Sequence, residues 1–146
     1  MASLADYFPQ DDPLRPKLSP LVYVEPRDKL PDDEYARQST FIAHIRKHAR
    51  GMRSFAIRNG AYIASNRGRA KAHGEGLHKG WPDTGNCWGA VTAWIEFKDG
   101  REMPDTAQIE TLNWLAERGQ PVAVCRTTEG ALRWLKGLGA PVAAVL

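Results

Sequence analysis

The chain has 146 residues, 42% hydrophobic and 25% charged, with a formal net charge of +3. That length reads as one domain able to bury roughly 68–70% of its unfolded surface, so neither a disulfide nor a structural metal is needed to hold a core. No run of about 18 apolar residues occurs, which argues against a helical membrane span, and Cys87 and Cys125 form no CxxC pair, which argues against a zinc module or a disulfide scaffold.

Met1–Asp6 has neither a basic nor an apolar stretch, so no secretory signal is expected and the expected location is cytoplasmic. Charge is unevenly spread. Residues 1–34 carry four Lys/Arg against eight Asp/Glu, whereas residues 44–80 carry nine Lys/Arg against the single Glu75. A basic block inside a near-neutral chain suggests a polyanionic partner, although a merely solvated basic face would give the same count.

Residues 1–31 hold six of the ten prolines and show no helical period, so they read as an extended arm ahead of a domain spanning 32–146. Within the arm only Leu21-Val22-Tyr23-Val24 could form a short strand. After Pro31, Asp32 or Asp33 would cap a helix running to about Arg50, with Tyr35, Gln38, Phe41, Ile42, Ile45 and Ala49 on one stripe. Ser54–Arg58 alternates as a strand and Asn59-Gly60 punctuates it. Residues 61–80 are Gly-, Arg- and Lys-rich and aperiodic, and read as a long basic loop.

Trp81-Pro82-Asp83-Thr84 opens the next element, and Val91–Lys98 alternates clearly enough to be the central strand. Asp105 would cap a second helix with Gln108 three residues on, as in a capping box, and Ile109, Leu112, Leu115 and Ala116 give its apolar face. Pro121–Arg126 is an apolar strand, Thr127 or Thr128 caps a third helix, and Pro141–Leu146 reads as a last strand. This order predicts an α/β fold, a mixed central sheet flanked by helices.

The period of two puts Glu96 and Lys98 on one face of the central strand and Ile95 and Phe97 on the other. A hairpin would bring the carboxylate of Asp83 beside Glu96. Two converging carboxylates with backbone carbonyls at hand suit a hard cation such as Mg²⁺. Such an ion activates water and stabilises charge on a phosphoryl oxygen, and Lys98 would neutralise charge on the phosphate or orient the water. An exposed Glu/Lys pair on an edge strand, with Asp83 in a turn, is the plainer alternative. Arg58, Arg67, Arg69, Lys71 and Lys79 are candidate phosphate contacts. The five tryptophans read as packing residues, with Trp81 or Trp88 also able to stack on an unpaired base. His44 and His48 have the spacing of a zinc pair, but no Glu follows the first, and a metal role is not expected.

Gly80-Trp81-Pro82-Asp83, Ile95-Glu96-Phe97-Lys98 and the helix residue Gln108 together resemble the PD-(D/E)xK nuclease superfamily, and more narrowly its VRR-NUC (virus-type replication-repair nuclease) domain. Ala56-Ile57-Arg58-Asn59-Gly60, Lys71-Ala72-His73-Gly74 and Pro121-Val122-Ala123-Val124 add to the likeness, which covers about residues 33–138. It implies a restriction-endonuclease-like fold in which Asp83, Glu96 and the carbonyl of Phe97 ligate Mg²⁺ or Mn²⁺. Lys98 would be the catalytic lysine, Gln108 would lie near the site, and Glu34, ahead of Gln38, would complete the acidic cluster. Asn59 would join the basic residues at the nucleic acid. Arg58 stands where the family commonly has Pro.

The activity so implied is metal-dependent endonucleolytic hydrolysis of DNA. Standalone members of the family are associated with Holliday-junction cleavage by homodimers, so branched DNA and a second copy of the chain are the expected partners. A nucleic-acid-binding protein with a silent nuclease fold, or a nuclease for unbranched DNA or RNA, is the alternative.

Overall fold

Strand β4 (Val91–Phe97) alternates side chains between two apolar layers, and the rest of the fold is arranged around it. A computed structural model describes residues 16–26, 34–57, 66–76, 78–100 and 102–143, with the side chains of Glu34, Tyr35, Arg69 and His73 outside the description. Strand β3 (Thr84–Trp88) pairs antiparallel with β4 through a turn in which Gly89 takes φ +52, the left-handed conformation favoured in tight hairpins. Strand β2 (Arg53–Ala56) adds antiparallel to β3. On the other side of β4 lies β5 (Val122–Cys125), parallel to it, and beyond that β1 (Tyr23–Val24), parallel to β5. The sheet is therefore five-stranded and mixed, in the order β1-β5-β4-β3-β2.

Helices cover both faces. Helix α1 (Glu34–His48) sends Phe41 and Ile45 into one layer with Ile95, Phe97, Ala123 and Cys125, joined by Ala131, Leu132 and Leu135 of α4 (Thr128–Gly137). Helix α3 (Thr106–Glu117) places Leu112, Leu115 and Ala116 on the opposite face, against Val22, Val122 and Val124. The predicted α/β class, a mixed sheet flanked by helices, is the observed one. Among the described residues no helix is long and apolar enough to cross a membrane.

Both cap assignments on α3 and α4 hold. Asp105 accepts from the Gln108 N–H while Gln108 reaches back to the Asp105 N–H, and Thr127 caps α4 through the Gly130 N–H. The described part of the arm is extended and laid along the domain. Val22 is buried, Asn113 pins Lys17 and Ser19, and the Glu25 carboxylate accepts from the N–H groups of Arg126 and Thr127 and from the Thr127 hydroxyl.

Two expectations are corrected. Residues 66–74 are not loop but helix α2 (Asn66–Gly74). Its Ala, Arg and Lys residues are good helix formers, yet a helix polar all round has no apolar stripe by which to be recognised. Pro141–Ala143 is not a strand: Val142 is buried beside α1, and the Ala143 N–H donates to the His48 carbonyl instead of a sheet edge. Residues 144–146 lie outside the described residues, as do the expected cap at Asp32 or Asp33 and the turn at Asn59-Gly60.

Candidate active site

The β3–β4 register pairs Thr84 with Ile95, and continued by one residue it sets Asp83 opposite Glu96. Both ends of Asp83 are fixed. Its backbone carbonyl accepts the Ile57 N–H at 2.8 Å, and its Oδ2 accepts the Phe97 N–H at 2.8 Å. Glu96 points to the α3 side of the sheet and is only 1% exposed. Its Oε1 accepts from Gln108 Nε2 at 2.7 Å and lies 3.4 Å from Lys98 Nζ, whose side chain is 14% exposed. A buried carboxylate tolerates ionisation only when paired and hydrogen-bonded, and Glu96 has both kinds of partner.

Gln108 has two jobs. Its carbonyl oxygen closes the capping box at 2.8 Å from the Asp105 nitrogen, and its amide nitrogen holds Glu96. One end must accept and the other donate, which only an amide does with this polarity. The cap thus orients the side chain that positions the carboxylate.

Burial raises the pKa of Asp83, and the Phe97 hydrogen bond and the nearby Lys98 charge offset this only in part. A carboxyl whose pKa rises on folding takes up a proton as the chain folds. Its contribution to stability is therefore best in acid and declines as pH rises from the unfolded value through the folded one. Without divalent metal, Asp83→Asn is expected to be more stable than wild type at neutral pH, with a melting-temperature gap that shrinks toward mild acid. Paired thermal melts across pH check this, and a gap independent of pH would contradict it.

The loop before Asp83 is seated on α3. Gly80 is buried at φ +90, and a Cβ there would lie 2.6 Å from the Ala107 carbonyl carbon and 3.0 Å from the Gln108 nitrogen. Only glycine allows this approach, which sets the distance between the Asp83 loop and the Gln108 end of α3.

Behind Lys98, two buried guanidinium groups brace the turn that follows it. Arg37 of α1 donates to the Lys98 carbonyl at 3.3 Å and lies 3.4 Å from the Asp99 carboxylate, and fully buried Arg126 donates to the Asp99 carbonyl at 3.1 Å. Neither was foreseen, because an Arg in an amphipathic helix or after an apolar strand carries no sequence mark of burial. Arg37 stands one turn into α1, so the first turn of that helix, which holds Glu34, is at the Lys98 end of β4. The Glu34 side chain lies outside the described residues.

The structure thus brings together Asp83, Glu96, Phe97, Lys98 and Gln108. Of the basic candidates, Arg67 and Lys71 are exposed on α2 at a spacing of four, and Lys71 lies 3.8 Å from Glu75 rather than joining the acidic cluster. Lys79 is exposed in the loop before Asp83, while Arg58 and Asn59 lie outside the described residues. His44 Nε2 lies 3.3 Å from the Ala143 carbonyl oxygen.

The donor chemistry fits a hard divalent cation: two carboxylates and backbone carbonyls, with no thiolate or imidazole at the cluster among the described residues. Among the described residues no group of three or more His, Cys, Asp or Glu side chains is positioned to hold a metal. No family model matches the chain, and no curated protein or solved structure matches it either.

Proposed function

We propose that this chain is a divalent-metal-dependent DNA endonuclease of the PD-(D/E)xK type, close to the VRR-NUC domain, and that branched DNA is its substrate. The observation that supports this best is the juxtaposition of Asp83 and Glu96 across one hairpin with Lys98 Nζ 3.4 Å from Glu96. A structural ion pair would need Glu96 and Lys98 alone. A second, partly desolvated carboxylate held opposite by a backbone hydrogen bond adds a site for positive charge.

Asp83 and Glu96 would hold Mg²⁺ or Mn²⁺, joined by the Phe97 carbonyl and by Glu34. The bound ion supplies Lewis-acid stabilisation of the phosphoryl oxygens and activation of water. Lys98, with a single charge and three donors, faces the phosphate and neutralises charge that develops there during phosphodiester hydrolysis. Gln108 keeps Glu96 aimed. Exposed Arg67, Lys71 and Lys79, with Arg58, Asn59 and Arg69, supply sequence-independent affinity for the DNA backbone.

A symmetric four-way junction presents two equivalent scissile sites, so a two-fold dimer follows from the junction reading. The test is cleavage of labelled four-way junction, flap, linear duplex, single-stranded DNA and RNA in Mg²⁺. Paired cuts in the junction alone support the reading. Cutting confined to duplex or RNA would replace the substrate, and no cutting of any would remove the nuclease.

A further inference from the structure

A concave feature adjoins the candidate active site. A pocket of about 450 Å³ lies between the loop ahead of Asp83 and the outer face of α3, lined by His78, Lys79, Trp81, Ala107, Glu110 and Trp114 among others. That volume lies within the range of about 300–1,000 Å³ typical of small-ligand sites. Resting on the nuclease reading, we infer that this pocket takes one unpaired nucleobase of the DNA substrate, next to the phosphate to be cut.

Three observations carry this. First, the walls are aromatic in a way the core does not require. Trp81 packs on Trp94 at 5.4 Å between ring centroids and so is fixed by the apolar layer beneath it, whereas Trp114 is 50% exposed on α3. The Arg118 guanidinium lies 4.0 Å over one face of the Trp114 ring and donates to the Trp114 main-chain carbonyl, which leaves the other face of the indole for stacking. An exposed indole beside a packed one is a stacking platform, and every base has a π-face to offer it.

Second, the polar groups are sorted. Lys79 and His78 stand on the loop side, and Glu110 on the helix side. A phosphate is attracted to the Lys79 ammonium and repelled by the Glu110 carboxylate, which in turn accepts hydrogen bonds from the amino group of a base. A nucleotide therefore enters with its base toward α3 and its phosphate toward the loop.

Third, the pocket and the acidic cluster share their frame. Ala107 lines the pocket while its neighbour Gln108 holds Glu96, and Trp81 lines it two residues before Asp83. A base held there leaves its own backbone leading toward Asp83 and Glu96. Continuous duplex offers no free base, so the pocket favours DNA with an unpaired nucleotide, as at a flap, or with a nucleotide extruded from its pair at the crossover of a junction.

The experiment measures anisotropy of a short fluorescein-labelled oligodeoxyadenylate, and of the same strand made abasic, in EDTA so that nothing is cut. Wild type should bind the base-bearing strand more tightly. Trp114→Ala should lose about tenfold on that strand and nothing on the abasic one, while Trp114→Phe should keep most of the affinity. Equal binding of both strands by wild type, or Trp114→Ala matching wild type on the base-bearing strand, would overturn the pocket. Junction cleavage by wild type in Mg²⁺, scored in parallel, separates the two readings. Trp114-dependent strand binding without any cleavage would keep the pocket and remove the nuclease; cleavage with Trp114-independent binding would do the reverse.

Discussion

Lys98→Ala is expected to abolish metal-dependent cleavage, by about 10²–10⁴-fold in rate, while DNA affinity falls only slightly. The Lys98 ammonium lies 3.4 Å from Glu96 and is 14% exposed, so it sits at the cluster rather than out among the solvated cations that supply bulk affinity. Removing one phosphate contact reduces the salt dependence of binding by roughly one charge, which leaves most of the affinity in place. The substitution also leaves Glu96 buried without its cation, so some loss of stability is expected. Lys98→Gln, which retains a donor toward Glu96 but no charge, separates the two effects: it should fold better than Lys98→Ala and be as inactive. Single-turnover cleavage with anisotropy on the same DNA measures both quantities, and a variant cutting at the wild-type rate would take Lys98 out of the mechanism.

Gly80→Ala should be the most damaging conservative change in the loop ahead of Asp83. An alanine at φ +90 costs about 1–2 kcal/mol in backbone strain. Crowding against the Ala107 and Gln108 backbone adds roughly 1–3 kcal/mol, for a total near 2–5 kcal/mol. Relief by shifting α3 would draw Gln108 off Glu96, so cleavage should fall with stability. Urea denaturation gives the first quantity directly; a stability change below about 0.5 kcal/mol, the usual range of surface substitutions, would show that the loop is not seated as described.

Sequence pattern made the central strand, the three apolar-faced helices and two of their caps legible, because each rests on a local regularity. Val91–Phe97 alternates, Ile109, Leu112, Leu115 and Ala116 repeat at helical spacing, and Asp105 and Gln108 form a reciprocal pair. The hairpin between Pro82-Asp83 and Glu96 was legible too, whereas its register, set by the turn at Gly89, comes from the fold. What escaped was set by tertiary contact. Helix α2 has no apolar stripe, and the path of Pro141–Ala143 depends on the His48 carbonyl. The burial of Arg37 and Arg126 depends on carbonyls and a carboxylate gathered around Asp99 from separate parts of the chain. The pattern offers Gln108 both as a reciprocal cap and as a neighbour of the site, and the fold joins its oxygen to the Asp105 N–H and its nitrogen to Glu96.

The most direct single measurement is cleavage of a labelled four-way junction in Mg²⁺ by wild type and by Asp83→Asn, each repeated with EDTA. Asn keeps an oxygen for the Phe97 N–H and removes the charge, so the fold is retained and the metal site weakened. Cutting by wild type in Mg²⁺, lost in EDTA and in Asp83→Asn, is the predicted result. Cutting that persists in EDTA, or in Asp83→Asn at the wild-type rate, would contradict a metal site built on Asp83 and Glu96.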